Sequence, residues 1–200
     1  MKYSNLSRRG FLRKTSLATM SFLPFVGVAP GLLASTADKY GIKGKQAPPL
    51  SVDYWIDANG QPTQFDQQQL KEKWVYIKCF QKWCPGCHKH GFPALKKVAD
   101  AFQADERVEV LAIQTVFEGF TTNTQESVRE VQLQYELPII MGHDPGDPKT
   151  DPHPRTMRDY RTGGTPWAII IDPSGKVVFN HFHIDPDKFI PYLQKQLALG

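Results

Sequence analysis

At 200 residues, with 40% hydrophobic and 22% charged side chains, the chain is an ordinary globular protein with one domain's worth of core. The formal charge of +4 is badly placed for nucleic-acid binding. Lys2, Arg8, Arg9, Arg13 and Lys14 fall in residues 1–37 beside no acid, and removing these five positives from +4 leaves −1 for the rest. The three cysteines, Cys79, Cys84 and Cys87, lie within nine positions, which argues against a disulfide-stapled scaffold and for a local chemical device.

Residues 1–37 read as a signal peptide. Ser7 to Lys14 carries twin arginines followed by Phe11-Leu12 and more basic residues, then an apolar run from Leu17 to Leu33, then small residues up to Ala37. Pro24, Gly27, Pro30 and Gly31 make that run a poor spanning helix, so no stable membrane insertion is expected after cleavage. The arginine pattern resembles the twin-arginine (Tat) signal, which sends folded proteins outward and implies a periplasmic location. Residues 38–48 read as a polar linker, and residues 49–200 as the folded domain.

Within the domain, two short extended segments flank Ala58-Asn59-Gly60, a tight-turn signal. Trp74 to Phe80 has the aromatic and β-branched content of a buried strand, and after Pro85-Gly86 a helix follows with Leu95, Val98, Ala99 and Phe102 at helical spacing. Val108 to Ile113 is apolar enough for a central strand. Asn123 or Thr124 can cap a helix reaching about Tyr135, and Pro138 to Met141 reads as a short strand. His143 to Pro154 reads as a loop, its acidic stretch Asp144 to Asp151 as solvated surface, followed by a short helix at about Arg155 to Tyr160. Trp167 to Ile171 and Lys176 to Phe182 flank a turn at Asp172-Pro173-Ser174-Gly175. A last amphipathic helix starts near Pro186, with Pro191 near its first turn. This order predicts an α/β sandwich around one mixed sheet flanked by helices.

The chemistry concentrates in Trp83-Cys84-Pro85-Gly86-Cys87-His88. At a strand-to-helix junction, Cys84 faces unsatisfied backbone N–H groups and the positive end of the helix dipole, which favour its thiolate, the attacking species. Cys87, one turn inward, is placed to resolve a mixed disulfide, so the expected reversible bond is Cys84–Cys87 with Cys79 free. Pro85 suits a first helical turn, and Trp83 can cover one side of the sulfur pair. Four chemistries fit this hexapeptide: a redox dithiol, c-type haem attachment through Cys84-x-x-Cys87-His88, a metal (copper) binding or chaperone site using Cys84, Cys87, His88 and His90, and a pair of inert core cysteines. A structural zinc site would want a second ligand pair at set spacing, and a haem protein would cross the membrane unfolded. The redox reading is preferred; it needs no cofactor and no metal.

Lys73 to Cys87 followed by Phe92-Pro93-Ala94-Leu95 resembles the active-site segment of thioredoxin-fold proteins, particularly the exported TlpA/ResA-like branch. Gly164-Thr165-Pro166-Trp167 and the hairpin after it are similar to that family's cis-proline loop and closing strands. The segment from Thr115 to Tyr160 resembles the inserted helix–strand piece of the branch. The resemblance covers nearly all of residues 45–198 and implies a thioredoxin-like sandwich with an N-terminal β-hairpin. It also implies that Pro166 is cis and faces Cys84 and Cys87, with the Thr165 backbone pairing to an extended substrate segment. The implied activity is protein-disulfide reduction. The implied partners are exported protein thiols and disulfides, or haem-protein maturation, with a membrane thiol–disulfide donor.

Three departures stand out. Plain thioredoxins carry a buried Asp where this chain has Lys78, which would either favour a thiolate from the core or snorkel to solvent at the strand edge. Cys79 replaces a common aromatic and reads as a buried, inert thiol. Pro93 falls one residue later than the family pattern, with Gly91 between, so the helix is expected to carry a one-residue bulge. His88 and His90 read as exposed, and His181 and His183 alternate so as to share one side of a strand. Peroxiredoxins share the fold but carry Pro-x-x-x-Thr-x-x-Cys; Ile77 and Gln81 occupy the Pro and Thr positions, which argues against peroxidase chemistry.

Overall fold

The computed structural model describes residues 39–199. Seven strands form one mixed sheet in the order β2-β1-β5-β4-β3-β6-β7. They span Tyr54–Ile56 (β1), Pro62–Thr63 (β2), Trp74–Phe80 (β3), Val108–Val116 (β4), Ile140–Pro145 (β5), Trp167–Ile171 (β6) and Val177–His181 (β7). The central strands β3, β4 and β5 run parallel, while β1, β6 and β7 join antiparallel. Helices α1 (Phe92–Phe102), α2 (Gln125–Gln134), α3 (Arg155–Asp159) and α4 (Pro186–Leu199) complete the thioredoxin-like α/β fold.

Strand alternation sorts β3 into two cores. Tyr76 and Phe80 pack with Cys84, Cys87, Phe92, Leu95, Val128, Val131, Phe189 and Leu193, on the face covered by α1, α2 and α4. Val75, Ile77 and Cys79 pack on the other face with Leu111, Ile113, Tyr160, Trp167 and Ile169. Cys79 is therefore separated from the Cys84/Cys87 pair by the sheet.

Most elements form where periodicity puts them, and the exceptions have local causes. Residues 42–47, within the stretch 38–48 read as linker, pack on the fold: Ala47 N–H donates to the Gly175 carbonyl, Gln46 bridges to Lys176, and Ile42 is buried. β4 runs on to Val116, carrying buried Gln114 and Thr115, and β5 lies later than expected and reaches Pro145. Gln114 lies there because it finds partners, bonding both Ser127 Oγ and His143 Nδ1, whereas the buried Thr115 hydroxyl has none among the described residues. Asp144, expected in solvent, is fully buried and accepts from the Arg155 and Thr156 N–H groups, closing the start of α3. Desolvation raises its carboxyl above the ordinary carboxylate value against those bonds. Pro191 sits in the second turn of α4, because Asp185 already accepts the first backbone bonds from Lys188 and Phe189.

Candidate active site

The site lies where β3 ends and the first helical turn begins. Lys82 to Cys84 form the bend, and the Cys84 carbonyl accepts from the Cys87 and His88 N–H groups at 3.0 and 3.3 Å. The Cys87 N–H also reaches the Cys84 Sγ at 3.3 Å. Cys84 thus occupies the position an N-cap serine would take, with sulfur in place of oxygen. The hydrogen bond from the Cys87 thiol and then the backbone N–H groups of Cys87 and Gly86 outweigh burial and bring Cys84 down to about 5. Cys87, fully buried, moves the opposite way: its bond to Cys84 and desolvation hold the proton on it. The two thiols are thus unlike, Cys84 the more acidic and Cys87 the one that keeps its proton.

The expected bulge is present. Cys87–Gly91 forms a π-turn, in which the Phe92 N–H reaches back five residues to the Cys87 carbonyl. The Thr165–Pro166 peptide bond is cis, as the resemblance implied. The Pro166 ring lies against two glycines: a Cβ on Gly86 would stand 3.3 Å from its Cδ, and one on Gly91 would stand 2.9 Å from its Cβ. Only glycine at 91 lets the π-turn and the cis-proline loop approach this closely. The Cys84 Sγ lies 3.5 Å from the Thr165 carbonyl oxygen, so the cysteine pair and the Thr165–Pro166 loop meet.

Trp83 stands to one side, 43% exposed, with its indole N–H donating to Gln81 Oε1 and its ring over Gly119. Sequence reading missed the residues that hold this bend. Buried Asn123, expected at most as a helix cap, accepts from the Lys82 N–H at 2.6 Å and donates to Gln81 Oε1 and the Glu118 and Gly119 carbonyls. Thr124 is the cap of α2. An asparagine one residue before a capping threonine carries no signal of a contact to a loop over forty positions away.

The histidines divide. His88 is half-buried rather than exposed, with Nε2 against the Lys82 carbonyl and Nδ1 against the Tyr135 hydroxyl. The carbonyl can only accept, so Nε2 carries the hydrogen and Nδ1 accepts from the tyrosine. Both nitrogens are engaged, which leaves neither for an axial haem bond. His181 and His183 do not act together: His181 stacks on Trp167, while the His183 ring centroid lies 6.1 Å from that of His90. Among the described residues no group of three or more His, Cys, Asp or Glu is placed to hold a metal ion.

Lys78 does not snorkel. Its side chain is 0% exposed, on the face of β3 that carries Tyr76 and Phe80. Cys79, on the other face, is equally buried, and desolvation pushes its thiol up to about 12. It is inert at neutral pH.

Comparison with known proteins agrees with this geometry. The model of the AhpC/TSA family matches residues 43–180. The crystal structure of a thioredoxin-like superfamily protein, 32% identical, covers 76% of this chain and 95% of that one, with a TM-score of 0.66. A thiol-disulfide isomerase from Corynebacterium glutamicum, 26% identical, covers 77% and 96% with a TM-score of 0.66. The thioredoxin domain of a thiol-disulfide oxidoreductase from Bacteroides vulgatus, 21% identical, shares the fold over 77% and 96% with a TM-score of 0.56. No curated protein matches the sequence. The chain belongs to the AhpC/TSA family of thioredoxin-like thiol–disulfide proteins.

Proposed function

We propose that this member of the AhpC/TSA family is an exported thiol–disulfide oxidoreductase that reduces disulfides in partner proteins through Cys84 and Cys87. The Cys84 thiolate attacks one sulfur of a partner disulfide; a mixed disulfide forms and the partner's other sulfur leaves as thiolate. Cys87, deprotonated, then attacks Cys84 Sγ, closing the Cys84–Cys87 bond and releasing the second partner thiolate. The observation that carries this reading is the helix-start geometry, in which the Cys87 N–H donates to Cys84 Sγ beside the cis-proline loop. The Thr165 backbone is the proposed docking edge for an extended segment of the partner. Exported proteins are the proposed partners and a membrane thiol–disulfide donor the proposed source of electrons. The twin arginines at Arg8 and Arg9 support that location.

Peroxide reduction, the other chemistry of such a fold, finds no support at the bend. The Thr position of the peroxidase pattern holds Gln81, whose Oε1 is taken by Trp83 and Asn123. The low Cys84 thiol does favour one second reading. A stabilised thiolate stabilises the reduced form, which suits a protein that oxidises its partners. Insulin reduction by the wild type, lost in Cys84→Ser, together with trapped mixed disulfides in Cys87→Ser, supports the exchange reading. A reduction potential below about −230 mV supports the reductase direction, and one above about −180 mV the oxidase.

A further inference from the structure

Lys78 occupies the middle of β3, paired with Ala112 of β4 on one side and Ala168 of β6 on the other. These two small neighbours leave room for a long side chain to lie over the sheet within the core that holds Cys84 and Cys87. The side chain is 0% exposed, and its Nζ has no hydrogen-bond partner among the described residues. A lone ammonium in an apolar core is unfavourable unless it is compensated or gives up its proton, and packing alone would be served as well by methionine. The group it couples to is a sulfur: negative charge on Cys87, when it forms, favours the lysine's charged form more than charge on Cys79 does. By reciprocity the ammonium favours the Cys87 thiolate.

We propose that Lys78 is the base and counter-ion for Cys87, a positioning residue for the second half of the exchange. This rests on the reading of Cys87 as the resolving thiol. The neutral amine takes the proton of the Cys87 thiol. The resulting thiolate attacks Cys84 Sγ, the Cys84–Cys87 bond forms, and the bond from Cys84 to the partner sulfur breaks. The partner sulfur leaves with the electron pair and takes a proton from water, while Lys78 returns its own proton to water. Two sulfurs of this chain are oxidised and two of the partner are reduced, with no further reactant.

Burial brings Lys78 down to about 8, so the amine is a minor form at neutrality and the dominant one above about pH 8. The other titratable groups around it are few. Cys87 comes from the π-turn and His183 from the segment after β7, with His90 and Asp185 in turn beside His183. Cys79 lies on the far face, and Tyr76, two residues along the strand, is raised further above its ordinary value by burial. β4 and β6 contribute alanines. His183, lowered by desolvation and by the charges of Lys78 and His90, is neutral at pH 8, so an inflection there belongs to the lysine.

The test is rapid mixing of the reduced full domain with Ellman's reagent. The first thionitrobenzoate is released by Cys84 attack and the second by Cys87 resolving the adduct. In the wild type the second phase should rise with pH and level off above an inflection near pH 8. In Lys78→Met and Lys78→Gln the ratio of second-phase to first-phase rate should fall about tenfold or more at neutral pH, and the inflection should vanish. Lys78→Met should be more stable than the wild type, so a slowed second phase is not unfolding. An unchanged ratio with an unchanged pH profile in a folded variant overturns the role of Lys78. So does a wild-type second phase with no inflection between about pH 7 and pH 9, which needs no variant at all. A wild type that releases no second equivalent at any pH instead overturns the Cys84/Cys87 exchange itself.

Discussion

A sulfur at a helix start is a stronger acid than a free thiol for the same reason that serine caps a helix: the first N–H groups have no partner of their own. At Cys84 the hydrogen bond from the Cys87 thiol, and after it these N–H groups, compete with burial and win, and the outcome can be measured. The thiolate absorbance of the reduced protein near 240 nm should titrate with a midpoint close to pH 5, and alkylation by iodoacetamide should level off above it. Because the folded value lies below the unfolded one, the thiolate's contribution to the stability of the reduced form is fully present above the unfolded thiol value of 9.0. It is lost as pH falls through about 5. A midpoint near the ordinary thiol value would show that neither the Cys87 thiol nor the N–H groups hold the sulfur as a thiolate. Cys84 and Cys87 were legible because a Cys-x-x-Cys pair at a strand–helix junction is itself a local device. The burial of Lys78 and Asp144 was not. A charged residue, whether in a strand like Lys78 or in an acidic stretch read as loop like Asp144, is ordinarily read as reaching solvent, and only the tertiary neighbours, two alanines for the lysine and the α3 amides for the aspartate, make room for it.

One inserted residue in the first helix does more than offset a proline. The π-turn at Cys87–Gly91 puts Gly91, without a side chain, directly against Pro166. Gly91→Ala would bring a methyl to 2.9 Å from the Pro166 Cβ and 3.7 Å from that of Cys87, so either the loop or the turn must move. We expect a loss of about 1–3 kcal/mol in urea denaturation, with slower disulfide exchange. Lys89→Ala, exposed in the same turn, should change neither. An alanine variant as stable and as active as the wild type would show that the contact has slack. The bulge itself was readable from spacing, since Pro93 came one position late against the family pattern. The ends of β4 and β5 were not, because each strand runs through a polar residue near its end, Gln114 in β4 and His143 in β5, that takes a partner distant in sequence.

Across the whole molecule, the ends of the domain depend on each other. β1 pairs with β5, β3 pairs with β6, and Gln46 bridges to Lys176, so the first described segment is held by one of the last. Such long-range pairing leaves β6, β7 and the bridge at Gln46 to form last, so the sheet is completed only near the end of synthesis. That suits an export route that accepts finished folds, and the proposed twin-arginine signal, which lies outside the described residues, is such a route. The last prediction tests it. Replacing Arg8 and Arg9 together by Lys keeps the five positive charges of residues 1–37 but removes the planar guanidinium forks, which ammonium groups do not imitate. A general secretion signal needs only positive charge and an apolar run, and should tolerate the exchange. A receptor that reads the arginine pair should not, and the double variant should accumulate unprocessed in the cytoplasm with a folded, reduced domain. Trypsin resistance and thiol labelling of that cytoplasmic pool give the folding and redox state before export. Processing of the double variant in the periplasm at wild-type levels would remove the folded-export assignment, and with it the argument that a folded passenger disfavours haem attachment at Cys84 and Cys87.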